Sequence, residues 1–123
     1  MAKIFSLKNS NKPHIAPLHI RYCESFFDRL RGFTFATNVP LDQGLVLVEK
    51  RDSRVDTAIH MLFVHTDLAV FWLDSSYRVV DKVLAKSWRP FYASKHPARY
   101  VLEINPTRLN DFDIGDTVVF KKQ

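Results

Sequence analysis

Over most of the chain, apolar and polar residues alternate with a period of two, the spacing that sets one side of an extended strand against a core. Residues 4–7 open the series, and the polar turn Asn9-Ser10-Asn11-Lys12-Pro13 ends that first run. In residues 14–22, Leu18, Ile20 and Tyr22 alternate with His19 and Arg21, and Pro13 and Pro17 place this strand at an edge. The pattern predicts further strands at 45–48, 58–64, 68–73, 78–85, 100–104 and 117–120, with Asp74-Ser75-Ser76-Tyr77 as a hairpin turn. The period changes at Ser25-Phe26-Phe27-Asp28-Arg29-Leu30-Arg31-Gly32. There Phe26, Phe27 and Leu30 share a helical face, Ser25 caps its start and Gly32 supplies a left-handed stop. A second helical turn is expected at 106–112, because Asn105 caps and Pro106 suits the first helical position.

Short, closely spaced strands without a βαβ rhythm predict a mainly β fold, a small antiparallel barrel or sandwich carrying one or two short helices. Phe63, Phe71, Leu73, Leu102 and Val118 are the expected core. The length, 123 residues, suits one domain over 1–123, and a hydrophobic fraction of 46% is ample for a core.

The N-terminal residues turn polar too early for a secretory signal, and no apolar run approaches the ~20 residues of a bilayer span. A lone cysteine, Cys23, forms no internal disulfide and rules out a thiolate-rich zinc site. A cytoplasmic location without membrane contact is the expectation. The net charge of +5 is local: residues 75–102 hold Arg78, Lys82, Lys86, Arg89, Lys95 and Arg99 against Asp81 alone, while the other residues balance.

Four stretches in order resemble the DUF192 family, a domain of unknown function. Arg31-Gly32-Phe33-Thr34 is similar to the family's Arg-Gly-hydrophobic-Met start, and Val39-Pro40-Leu41-Asp42-Gln43-Gly44-Leu45-Val46 to its turn into a strand. Ile59-His60-Met61-Leu62-Phe63-Val64 through Val70-Phe71-Trp72-Leu73-Asp74 resembles the family's Ile-His segment and central strand. Tyr100-Val101-Leu102-Glu103-Ile104 with Ile114-Gly115-Asp116 resembles its Val-Leu-Glu-Leu and Gly-Asp ending. Thr34 replaces the usual Met, Asp67 and Ala69 stand where the family has Pro and Asp, and Asn105-Pro106-Thr107 replaces a Pro-Ala-Gly turn. The resemblance implies a compact β-rich fold and a Glu at position 103 across the family; it implies no biochemical activity.

Among side chains that could carry chemistry, the histidine pairs His14/His19 and His60/His65 have an odd spacing, which puts the members of each on opposite faces of a strand. No metal or cofactor is expected, and Cys23 reads as a small buried hydrophobe because no base accompanies it. Three glycines exclude the Gly-rich phosphate and dinucleotide loops. Glu103, in an apolar strand, needs a partner, for which Arg31 and Arg89 are the candidates. The densest signal lies in Lys82, Lys86, Trp88, Arg89, Phe91, Tyr92, Lys95, His96, Arg99 and Tyr100, where cations interleave with rings as on surfaces that stack bases or hold anions. The same pattern fits a hydrophobic plug with a solvated basic rim, and both readings stand.

The sequence therefore predicts a non-catalytic binding module of unknown partner. Its candidate ligand-binding residues are Arg31, His60, Lys86, Trp88, Arg89, Tyr92, Lys95 and Glu103. An anionic ligand or nucleic acid is expected on the 82–100 segment, and no catalytic residue is assigned. The alternative is a small hydrolase-like enzyme with Glu103, His60 and Arg89 in one cleft.

Overall fold

The computed structural model describes residues 3–25 and 32–123. Among these, seven strands form one mixed sheet: β1 (Lys3–Asn9), β2 (Leu18–Cys23), β3 (Gln43–Ser53), β4 (Leu68–Leu73), β5 (Val79–Ala85), β6 (Ala98–Ile104) and β7 (Val118–Lys122). Their order is β5-β4-β6-β3-β2-β1-β7. The mainly β expectation holds, while the antiparallel barrel or sandwich is corrected on two points. β2 and β3 run parallel, a pairing that requires a long connection, here supplied by the residues between Cys23 and Gln43. The sheet curls without closing: among the described residues its edge strands β5 and β7 are not paired, and the chain ahead of them meets at an isolated bridge between Arg78 and Thr117. Beside it Val79 N–H donates to Asp116 O at 2.8 Å and Val118 N–H to Tyr77 O at 3.0 Å.

Each face of the sheet carries its own core. On one, Leu7, Leu18, Ile20, Val46, Phe71, Leu102 and Ile104 pack with Phe112 and Val118; on the other, Val70, Trp72 and Val101 pack with Ile59, Met61, Val64 and Leu68. Every residue of β4 is buried because both its faces are covered, which is why Leu68-Ala69-Val70-Phe71-Trp72-Leu73 reads as a continuous apolar run. The 3-10 helix Pro106–Asp111 begins as expected, with Asn105 Oδ1 accepting from Thr107 N–H at 2.9 Å. The hairpin turn at Asp74-Ser75-Ser76-Tyr77 is present, with Tyr77 N–H donating to Asp74 O at 3.0 Å.

Three local expectations change. β2 is interior rather than an edge strand, because Pro13 and Pro17 both precede Leu18 and leave its ladder intact. Residues 58–64 are not a strand; only Ile59 pairs, with Tyr92, and the chain then turns, Val64 N–H donating to Met61 O at 3.2 Å. Phe63 consequently lies outside the core at 48% exposure, whereas Phe71, Leu73, Leu102 and Val118 are buried as expected. The helix expected at 25–31 falls outside the described residues apart from Ser25. No helix among the described residues is long and apolar enough to cross a membrane.

Candidate functional site

Pairing places Arg21 of β2, Leu45 of β3, Glu103 of β6, Val70 of β4 and Val83 of β5 abreast across the sheet. Glu103 therefore has apolar cross-strand neighbours on both sides, the least favourable setting for a carboxylate. Above it the segment after β3 folds back over the sheet. Trp72 Nε1 donates to Thr57 O at 2.8 Å, Thr57 Oγ1 to Ser53 O at 2.6 Å, and Met61 N–H to Arg89 O at 2.9 Å. This segment arches rather than lying flat, and a cavity of about 320 Å³ remains beneath it. Leu47, Leu68, Val101 and Glu103 contribute from the sheet, Asp56 to Met61 and Val64 from the arch, and Gly32, Phe33 and Thr34 from the chain ahead of β3; Glu49 completes the lining.

Glu103 is only 5% exposed, and no hydrogen bond or ion pair among the described residues engages its carboxyl. Burial pushes its pKa up to about 7, and the charge of Arg21 opposes that rise. A carboxyl so held is close to evenly divided between acid and carboxylate at neutral pH. It can donate a hydrogen bond in one form and accept two or more in the other.

His60 lines the same cavity, so two of the three groups of the imagined cleft meet there. Arg89 does not: its guanidinium lies over the Tyr92 ring, 5.6 Å from the centroid, and only its backbone carbonyl reaches the arch. The three-residue cleft is therefore not assembled, and Arg89 is not the partner of Glu103. Arg31, the other expected partner, lies outside the described residues.

The 82–100 segment uses much of its charge internally. Lys82 Nζ donates to Leu109 O at 3.1 Å and Phe112 O at 3.0 Å, fastening the 3-10 helix to β5. Lys86 Nζ is 3.5 Å from Asp67, Arg99 Nε donates to Glu49 O at 2.8 Å, and Tyr92 Oη accepts from Lys86 N–H at 2.8 Å. Lys95, exposed, is anchored through its amide to Asp81 at 2.9 Å. The excess that looks uncompensated along the chain is thus partly met by Asp67 from another segment and by backbone carbonyls.

Trp88 stands apart. Its ring packs on Phe63 at 4.9 Å, Phe63 on Phe35 at 5.7 Å, and His65 meets Trp88 edge-on at 5.5 Å. Phe35, Phe63 and Trp88 all have left-handed backbones, with φ of 69°, 62° and 68°. For bulky residues that conformation costs about 1 to 2 kcal/mol each. Sequence reasoning missed Phe35 and Phe63 as surface residues, and missed Glu49, Asp56 and Met61 as cavity lining. Alternation marks core faces but carries no sign of an arch or of a positive φ.

These features define a small mixed-sheet β domain with a cavity floored by one buried acid. The chain belongs to the DUF192 family, described as an uncharacterised ACR, which it matches over residues 7–120. Among its relatives is a UPF0127 protein of Thermococcus gammatolerans, 36% identical over 112 residues, covering 89% of this chain and 71% of that one. Another, from Thermococcus kodakarensis, is 37% identical over 101 residues, covering 80% of this chain and 62% of its relative. The chain is also similar in fold to a solved structure of a proposed transcription regulator from Sinorhizobium meliloti 1021. That match has a TM-score of 0.82 at 15% identity and covers 98% of this chain and 94% of the other.

Proposed function

We propose that the domain is a binding module for a small, mainly apolar molecule that presents a hydrogen-bond donor to Glu103. One observation carries this reading: Glu103, 5% exposed as a residue, lines a cavity of about 320 Å³, and the charge of Arg21 on β2 is felt by a carboxyl that no hydrogen bond or ion pair among the described residues engages. Such a volume lies at the lower end of the ~300–1,000 Å³ of small-molecule sites, which pair apolar walls with a few convergent polar groups. Leu47, Ile59, Met61, Val64, Leu68 and Val101 would receive the apolar body, and Glu103 would fix its orientation.

A second reading, acid–base chemistry, is favoured by a different observation. A carboxyl held at about 7 is well matched to accepting and returning a proton at neutral pH, and His60 shares its cavity. Binding of a cyclic ketone with deuterium exchange beside its carbonyl, absent in Glu103→Gln, would select that reading over simple binding.

The test of the main reading uses phenol and cyclohexanol as donor probes and anisole as the probe without a donor, titrated near pH 8 and followed by amide NMR shifts. The donor probes should shift Leu47, Ile59, Met61 and Val101. They should bind about ten- to a hundredfold more weakly to Glu103→Leu, the loss expected for a hydrogen bond to a charged acceptor. Anisole should not distinguish the two proteins. Equal donor binding by wild type and Glu103→Leu, or shifts confined to other faces, would contradict the proposal.

A further inference from the structure

The row Phe35, Phe63 and Trp88 lies outside the Glu103 cavity lining, although its loops carry residues that do line it. Three separate loops build the row and are stapled by their backbones: Phe35 N–H donates to Phe63 O at 2.7 Å, His65 N–H to Ala36 O at 2.8 Å and Trp88 N–H to Met61 O at 2.8 Å. Phe35, Phe63 and Trp88 are 70%, 48% and 46% exposed as residues. A fold gains nothing in its core from large aromatic residues held outward in left-handed conformations, and strain of this kind gathers where a surface is used.

The charges beside the row point to the occupant. Lys86 and Arg89 flank Trp88 in the chain, and His65 meets its ring. The acid of this region, Asp67, is taken up by Ser87 N–H at 2.9 Å and by Lys86 at 3.5 Å. The chain as a whole carries +5. The loops holding the rings also carry polar residues, Thr34, Thr37, Asn38 and Ser87, together with the exposed Leu62 and Phe91, so it is the local cations that single out an anionic partner. We propose that Phe35, Phe63 and Trp88 form a stacking platform for successive bases of a single-stranded nucleic acid, whose phosphates meet Arg89 and Lys86. Ring faces accept any base, so the platform would show little sequence preference, and the cations would make binding salt-dependent. This assigns the anion-binding expectation of the 82–100 segment to a surface of which that segment contributes only Trp88, Lys86 and Arg89.

The test is fluorescence anisotropy of labelled ten-residue oligothymidylate and oligouridylate across a salt series from about 50 mM. The wild type should bind, and its tryptophan emission should be quenched through Trp88, because Trp72 is buried. Phe35→Asn/Phe63→Asn, in which Asn tolerates the left-handed backbone, should keep the fold and lose at least tenfold in affinity with the salt slope unchanged. Lys86→Gln/Arg89→Gln should instead flatten the slope. No binding by wild type at the lowest salt would overturn the proposal, as would full binding by the folded Asn pair. Concentration-dependent dimerisation that the Asn pair abolishes, without oligonucleotide binding, would assign the row to a second copy of the chain and overturn it equally.

Discussion

Glu103 shows how one residue inherits its chemistry from its neighbours. Leu45 and Val70 stand beside it on the paired strands, and the arch above excludes most water, so the protonated form is favoured in the folded state. Its pKa rises from 4.5 to about 7, which corresponds to about 3 kcal/mol. The folded protein binds this proton more tightly than the unfolded chain. The contribution is therefore complete below pH 4.5 and is lost as pH rises through 7. Glu103→Gln, neutral at every pH, should be more stable than wild type at pH 8 by about 3 kcal/mol in urea melts, with the gap closing toward pH 4.5. An equal gap at both values would mean that the carboxyl does not titrate from a buried site. The position was legible in advance because alternation exposed a charge in an apolar strand and the family resemblance repeated it. Its lack of a described partner was not, since which cation reaches a strand position depends on loops whose course alternation does not encode. Phe63 failed for a related reason: in an apolar run it looks like core, and only its left-handed backbone turns it outward.

At the scale of elements, the contact between β3 and β6 fixes where Glu103 stands. A Cβ on Gly44 would lie 2.6 Å from both Glu103 O and Ile104 Cγ2, so glycine here permits the two strands to approach. Gly44→Ala should destabilise the fold by about 1 to 3 kcal/mol, the usual cost of forcing an atom into a packed site. Because the obstructed atom belongs to the backbone of Glu103, the variant should also perturb amide shifts of the cavity lining. A variant as stable as wild type with unchanged cavity shifts would show that β3 and β6 have slack. Strands with strong alternation and clear turns, such as those around Val70, Val83 and Leu102, were legible. Residues 58–64 were not, because an arch that buries Ile59, Met61 and Val64 against the sheet has nearly the same spacing of apolar positions as a strand.

Across the whole molecule, the sequence supported a mainly β domain but not that its sheet curls without closing. Closure depends on which strands pair at the edges, and here β5 and β7 do not pair as strands, an isolated bridge between Arg78 and Thr117 marking where the residues ahead of them meet. The parallel β2–β3 pair likewise arises from a long connection rather than from any pattern within either strand. Charge behaved similarly: the basic excess of residues 75–102 is real in sequence, yet the fold turns Lys82 onto carbonyls and brings Asp67 to Lys86. What remains distinctive is a curled sheet whose second face holds a buried acid beneath an arch, and the proposed binding function rests on that acid being desolvated while open to the cavity. The most direct measurement is a carbon-13 NMR titration of the Glu103 side-chain carboxyl, assigned by comparison with Glu103→Gln. The account predicts a midpoint about 7; a midpoint at the ordinary 4.5 or below would show a solvated or ion-paired carboxylate and contradict it.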